Sequence, residues 1–214
     1  MQMNKESMNY PNKLRKSLRL KEYDYSREGA YFITICTYNR ECMLGNVIDG
    51  EMILNQFGKI VLECWNSLAG RYTNIELDKF VVMPNHVHGI IKIIDNVGAI
   101  HELPLQRKNC DHPQMERRRM LIPKIVGYFK MNSSKQINRL RNTAGMSVWQ
   151  LNYYEHIIRN VDKLSKIREY IQNNPLKWHL DRENPEKTGN DILEDEIFGN
   201  LKDDKNESNC SGNS

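Results

Sequence analysis

The chain has no apolar run near the roughly 20 residues that a membrane-spanning helix needs. Its first residues, MQMNKESMNYPNKLRKSLRLKEY, hold no apolar stretch of the kind a secretory signal carries. A membrane protein and a secreted one are both unexpected, and the reading is cytoplasmic. The five cysteines (Cys36, Cys42, Cys64, Cys110, Cys210) are odd in number, scattered and never spaced Cys-x-x-Cys. That pattern indicates neither a disulfide framework nor a cysteine zinc site. No internal repeat is found, and 214 residues with 39% hydrophobic content suffice for one good core but are short for two. One domain with tails is expected.

Charge is uneven along the chain. From residue 181 to the end there are ten acidic residues and four basic ones, whereas residues 1 to 180 hold 27 basic and 17 acidic. A basic body suits a polyanionic partner such as nucleic acid, although ordinary soluble proteins carry similar excesses. Residues 1 to 28 read as a basic flexible arm, 29 to 180 as the folded domain, and 181 to 214 as an acidic disordered tail, too polar and charged to fold alone.

Within the domain, AYFITICTYN (30 to 39) is β-branched and aromatic, which predicts a strand. In MILNQFGKIVLECWNSLAGRY, the spacing of Ile53, Phe57, Ile60, Val61, Cys64, Trp65 and Leu68 predicts one amphipathic helix ending near Gly70. Strands follow over 75 to 83 and 86 to 94, joined at Pro84-Asn85, then an aperiodic insertion loop over 95 to 120. A helix over 124 to 140, a strand-like segment over 147 to 160 and a helix over 161 to 174 stopped by Pro175 complete the order. This succession is that of an α+β, ferredoxin-like (RRM-like) antiparallel sheet with helices packed on one face and the other face open to a ligand.

One strand carries an anomaly. In KFVVMPNHVHGIIKII, His86 and His88 interrupt an apolar run. Residues i and i+2 of a strand share a face with Cα atoms roughly 6.5 to 7 Å apart, so two imidazoles can converge on one ion. A His-x-His pair in isolation is more often incidental, but here Val87, Ile90, Ile91 and Ile93 and the Pro-Asn turn make the frame rigid, which suits a metal site. A third ligand must come from elsewhere. In REYIQNNP, Tyr170 and Asn174 lie on one helical face, four residues apart. By themselves they read equally as a core tyrosine and a helix-ending asparagine.

Taken together, MPNHVHGII, VWQLNYYEHIIRN and REYIQNNPLKW resemble, in order and spacing, the single-tyrosine transposases of the histidine-hydrophobic-histidine (HUH) nuclease class, most closely the REP-associated tyrosine transposases. The resemblance spans roughly residues 25 to 180. It implies a ferredoxin-like HUH core, Tyr170 as a DNA nucleophile, and a divalent ion held by His86, His88 and Asn174. It further implies magnesium or manganese as that ion, whereas two imidazoles with one amide would by ligand preference suit manganese or zinc. The implied activity is endonuclease and strand-transfer chemistry on single-stranded or hairpin DNA through a 5′-phosphotyrosine, in a monomer or homodimer. A domesticated DNA-binding protein that does not cleave is the alternative. Candidate DNA contacts are Arg117, Arg118, Arg119, Lys124 and Lys130 for phosphates, which read equally as a solvated charge run, Trp149 and Tyr153 for base stacking, which read equally as core, and His156, which matches a recurrent position of the family's middle block but reads more readily as packing beside Ile157 and Ile158.

Overall fold

The computed structural model describes residues 26–94 and 120–199. The arm expected over 1–28 lies outside the described residues except for 26–28, and the loop over 95–120 except for Met120. Arg117, Arg118, Arg119 and residues 200–214 are also outside them. The elements run β1 (Gly29–Cys36), β2 (Gly45–Ile48), β3 (Glu51–Leu54), α1 (Gln56–Asn66), α2 (Leu68–Arg71), β4 (Ile75–Val82) and β5 (His86–Ile93). They continue with α3 (Leu121–Leu140), β6 (Tyr154–Ile158), α4 (Val161–Asn173) and α5 (Ile192–Gly199).

Four strands make one antiparallel sheet in the order β4-β5-β1-β6, so the expected α+β architecture is present. β5 is central and buried on both faces, which is why its sequence is apolar almost throughout. Odd-numbered residues of β1 and β5 (Tyr31, Ile33, Ile35, Val87, Ile91, Ile93) join the main core with Val61 and Trp65 of α1 and Ile125 and Phe129 of α3. The even-numbered Phe32 and Ile90 point the other way, into a second cluster with Ile167, Tyr170 and Ile171 of α4. Helices therefore cover both faces. The one-face arrangement expected from the sequence holds for α1 and α3, while α4 crosses the face that was expected to stay open.

β4 shows how the strand pattern accommodates a polar tie. Its register with β5 shifts between Leu77 and Phe80. A bulge inverts the alternation, so Ile75 and Leu77 before it and Phe80 and Val82 after it all reach the main core. At the bulge Asp78 accepts two hydrogen bonds from Arg168 of α4, Nε to Oδ1 at 3.0 Å and Nη2 to Oδ2 at 2.6 Å, and pairs with Lys92 of β5 at 2.9 Å. The Arg168 guanidinium holds the Asp78 carboxyl well below the usual carboxylate range. This fork pins α4 to the sheet two residues before Tyr170.

Three sequence expectations are corrected. The predicted single helix from Ile53 begins three residues later, because Ile53 belongs to the β2–β3 hairpin. The hairpin turns at Asp49-Gly50, both with positive φ (52° and 79°), a dipeptide suited to a two-residue turn. Asn55 then caps α1, its side-chain oxygen accepting from Phe57 N and Gly58 N at 2.9 and 3.0 Å. The strand-like segment 147–160 forms a strand only over Tyr154–Ile158, with Trp149 making an isolated bridge to Thr37. Finally, residues 181–199 are not disordered. They form turns and α5, with Asp181, Asp191 and Glu194 buried, because these carboxylates find partners on the body.

Gly89 sits between His88 and Ile90 beneath the Trp65 ring, which stacks on Phe80 with centroids 4.2 Å apart. A Cβ at this position would lie 2.4 Å from Trp65 Cζ2. Gly89→Ala is therefore expected to cost about 1–3 kcal/mol of stability by overpacking. Thermal unfolding that shows no loss would mean Trp65 can leave its stack freely.

Candidate active site

β5 delivers His86 and His88 to the α4 face, both fully buried. Their Nε2 atoms are 2.9 Å apart. The outer nitrogen of each ring is engaged, His86 Nδ1 with Asn85 Oδ1 at 2.8 Å and His88 Nδ1 with Thr34 Oγ1 at 2.8 Å. Asn85 donates from Nδ2 to the carbonyl oxygens of Arg40 (3.2 Å) and Glu183 (2.7 Å), so its oxygen can only accept from the imidazole. The proton of His86 therefore sits on Nδ1, and Nε2 presents a lone pair toward His88. Burial pushes both imidazoles below their ordinary pKa, and the neighbouring ring adds to the effect on His88. Neutral imidazole is the ligating form.

α4 brings the other two predicted residues to the same place. Asn160 caps the helix by accepting from Lys163 N at 2.8 Å, and Pro175 follows its end. Tyr170 Oη lies 3.2 Å from His88 Nε2 and donates to Glu194 Oε1 at 3.1 Å. Only 2% of Tyr170 is exposed. Burial, followed by the charges of Asp181 and Glu194, raises the Tyr170 phenol well above its ordinary range. Asn174 donates from Nδ2 to Asp181 Oδ2 at 2.7 Å, and its buried Oδ1 has no hydrogen-bond partner among the described residues.

Asp181 and Glu194 are the site residues that sequence reasoning missed. Asp181 Oδ2 stands 3.7 Å from His86 Nε2 and 4.0 Å from His88 Nε2, and ligand atoms of all three residues lie within 4.8 Å of one another. Glu194, on α5, receives the backbone N–H of Arg182 at 3.2 Å as well as the Tyr170 hydroxyl. Burial and the Asp181 charge raise its carboxyl to about 7. Both residues belong to the stretch read as an acidic tail, where composition hides any local signal. The Pro84-Asn85 turn, expected to make the histidine frame rigid, does so through the Asn85 side chain, which holds the His86 ring.

The donor set fits a divalent cation: two neutral imidazole nitrogens, a buried carboxylate and a buried amide oxygen lacking a partner. His86 and His88 would hold the ion, with Asp181 and Asn174 as oxygen donors. Asn85 and Thr34 would hold the imidazoles from behind.

The remaining candidate contacts are elsewhere. Trp149 is a core residue, its Nε1 donating to Ser133 Oγ at 2.9 Å and its ring against Phe129, so it cannot stack on bases. Lys130 Nζ donates to the carbonyl oxygens of Gln150 and Leu151 at 2.5 and 2.9 Å and ties a loop rather than presenting an open cation. Lys124 is exposed on α3, and Tyr153 packs partly buried against the main core. His156 shares the α4 face but lines a separate small cavity with Asn160, Lys163 and Lys166. No helix of the described residues is long and apolar enough to cross a membrane.

No protein-family profile matches the chain. Among solved structures, a REP-associated tyrosine transposase bound to a REP hairpin superposes with a TM-score of 0.50 at 18% identity, covering 75% of this chain and 73% of that one. A likeness at that identity establishes a shared fold. An uncharacterized protein of Haemophilus influenzae is 44% identical over 168 residues, 78% of this chain and 92% of its own length. By that identity over nearly the whole relative, the chain belongs to one family with the Haemophilus influenzae protein, and it is built on the fold of a REP-associated tyrosine transposase.

Proposed function

We propose that the protein is a metal-dependent endonuclease and strand transferase acting on single-stranded DNA, with Tyr170 as nucleophile. The carrying observation is the placement of the Tyr170 hydroxyl 3.2 Å from His88 Nε2, beside a cation-competent His86–His88–Asp181 group. A tyrosine serving only the core has no need of that neighbour.

The chemistry follows from the residues. Tyr170 Oη attacks phosphorus, the phenol loses its proton, the P–O3′ bond breaks, and a free 3′-hydroxyl leaves while the 5′ side stays esterified to Tyr170. Because one ester replaces another, a later 3′-hydroxyl attack on the phosphotyrosine restores a DNA phosphodiester and the phenol without ATP. A divalent ion, when bound, supplies Lewis acidity toward the non-bridging phosphate oxygens, whose charge otherwise repels the nucleophile. His86 and His88 contribute by staying neutral and fixed. Asn85 and Thr34 hold their rings, and Asp181 balances cationic charge inside a buried site.

The resemblance of the three sequence blocks supports magnesium or manganese and a hairpin or REP-like substrate, and the transposase that shares the fold is itself bound to a REP hairpin. A second reading, a protein that binds hairpin DNA without cleaving it, is favoured by the burial and raised pKa of Tyr170 in this conformation. A covalent adduct separates the two. With hairpin-bearing single-stranded DNA and manganese, the wild-type chain is expected to give a protein-linked 5′ end on a denaturing gel. Tyr170→Phe should give none while its DNA affinity changes less than about twofold, since the hydroxyl serves bond formation rather than binding. Cleavage at near wild-type rate by that variant would reject Tyr170.

Metal binding has its own test. His86→Ala and His88→Ala are expected to abolish manganese binding by calorimetry while circular dichroism stays that of a folded chain. Asp181→Asn should weaken affinity more than Asn174→Ala, because a carboxylate brings charge as well as an oxygen. The opposite order would make Asn174 the principal oxygen ligand. Asn85→Ala, which touches no ion, should weaken it by about 10–100-fold.

A further inference from the structure

His156, singled out in the sequence and unused by the chemistry above, lines a cavity of about 140 Å³ between the edge strand β6, the first turns of α4, and α5. Part of its wall is apolar. Ile167 is buried in the cluster that also holds Tyr170, and Ile197 of α5 packs against that cluster. The rest is polar and open to solvent at Asn160, Asp162, Lys166 and Glu196. Lys163 and Lys166 bring two positive charges, Asp162 and Glu196 bring two negative ones, and Lys166 pairs with Glu196. Asn160 gives its side-chain oxygen to the helix cap and keeps Nδ2 as a donor.

Resting on the reading that the substrate is single-stranded DNA, we propose that this cavity holds one unpaired pyrimidine base of the strand. Size is the first reason. A cavity of roughly 150 Å³ takes a single six-membered aromatic ring. The 140 Å³ here therefore suits a pyrimidine and is too small for a two-ring purine. Charge is the second. The two cations and two anions cancel, so the lining has no net attraction for a phosphate or a carboxylate and favours a neutral ligand. Chemistry is the third. Ile167 and Ile197 can cover the face of a ring, while Asn160 Nδ2 and the Asp162 carboxylate offer a donor and an acceptor to the carbonyl and N–H groups of its edge. The His156 imidazole adds a flat partner that can also bond to that edge.

The cavity is in line with the nucleophile. Lys163, Ile167 and Tyr170 follow one another at spacings of four and three residues, which is one stripe of α4. Ile167 precedes Tyr170 by about 4.5 Å along the helix axis. A strand laid along that stripe offers a base to the cavity and its neighbouring phosphates to the Tyr170 end. Only an unpaired base can enter, because a paired one keeps its edge inside the duplex. The cavity is formed with α5 and Asp181 where the active site needs them, since Glu196 and Ile197 supply one of its walls. A base enters from solvent past the exposed Asn160, Asp162 and Lys166, and residues 181–199 stay in place.

Isoleucine-methyl NMR of the full-length wild-type chain in EDTA, at about pH 8 where an imidazole is neutral, tests the cavity without cleavage. Thymidine and deoxycytidine should each shift the Ile167 and Ile197 methyls saturably. Deoxyadenosine should shift them little at the same concentration, and inorganic phosphate not at all. Anisotropy of a fluorescent oligothymidylate in the same buffer gives a second readout. His156→Ala, shown by circular dichroism to be folded, is expected to weaken that binding about tenfold. Its log–log salt slope should stay that of wild type, because a base contact releases no counterion, whereas a lost phosphate contact lowers the slope by about 0.7. Methyls that ignore both pyrimidine nucleosides, respond equally to deoxyadenosine or follow phosphate would overturn the proposal. So would wild-type affinity, or a slope lowered by that amount, in folded His156→Ala. A Tyr170 adduct with silent methyls would reject this site alone, and saturating methyl shifts without an adduct would reject only the strand-transfer reading.

Discussion

The site depends on one packing event, the seating of α4 across the second face of the sheet. Phe32 and Ile90 offer an apolar patch there, and Ile167 and Ile171 cover it. The Arg168–Asp78 fork fixes the helix in rotation and in height. With that orientation set, Tyr170 lands over His88 and Asn174 lands by Asp181, since four residues along a helix return to the same side. The β4 bulge is part of the same device, because it turns Asp78 toward α4 without pulling the strand's apolar residues from the main core.

Seating α4 also buries two imidazoles, an unusual burden for a central strand. Their polar atoms are satisfied from behind by Asn85 and Thr34 and face each other in front. With the His86 proton on Nδ1, its Nε2 lone pair 2.9 Å from His88 Nε2 can accept the proton of that ring or, with both rings turned to lone pairs, face a cation. Asp181 adds the negative charge that makes such a cation tolerable away from water.

The acids of residues 181–199 have a double bearing. Asp181 belongs with the histidines, while Glu183, Asp191, Glu194 and Glu196 meet cations and the phenol around them. Their composition is that of a solvated tail. What orders them is complementarity to individual cations and to the phenol elsewhere in the chain.

The sequence by itself determined the strands and helices whose periodicity is local: β1, β4, β5, α3 and α4 lie close to where their apolar patterns put them. It also determined that His86 and His88 share a face and that Tyr170 and Asn174 share another, because periods of 2 and 3.6 are properties of the backbone. It misplaced the start of α1, where Ile53 continued a helical spacing but the Asp49-Gly50 turn made it a strand residue. Trp149 and Lys130 looked like DNA contacts because residue type carries no information on burial or on engagement by distant carbonyls. Only the tertiary structure decided which face α4 covers, and hence that Asp181 and Glu194 enter the site. Those choices rest on contacts between residues up to about a hundred positions apart, such as Asn85 with Glu183 and Tyr170 with His88, and no local pattern encodes such a meeting.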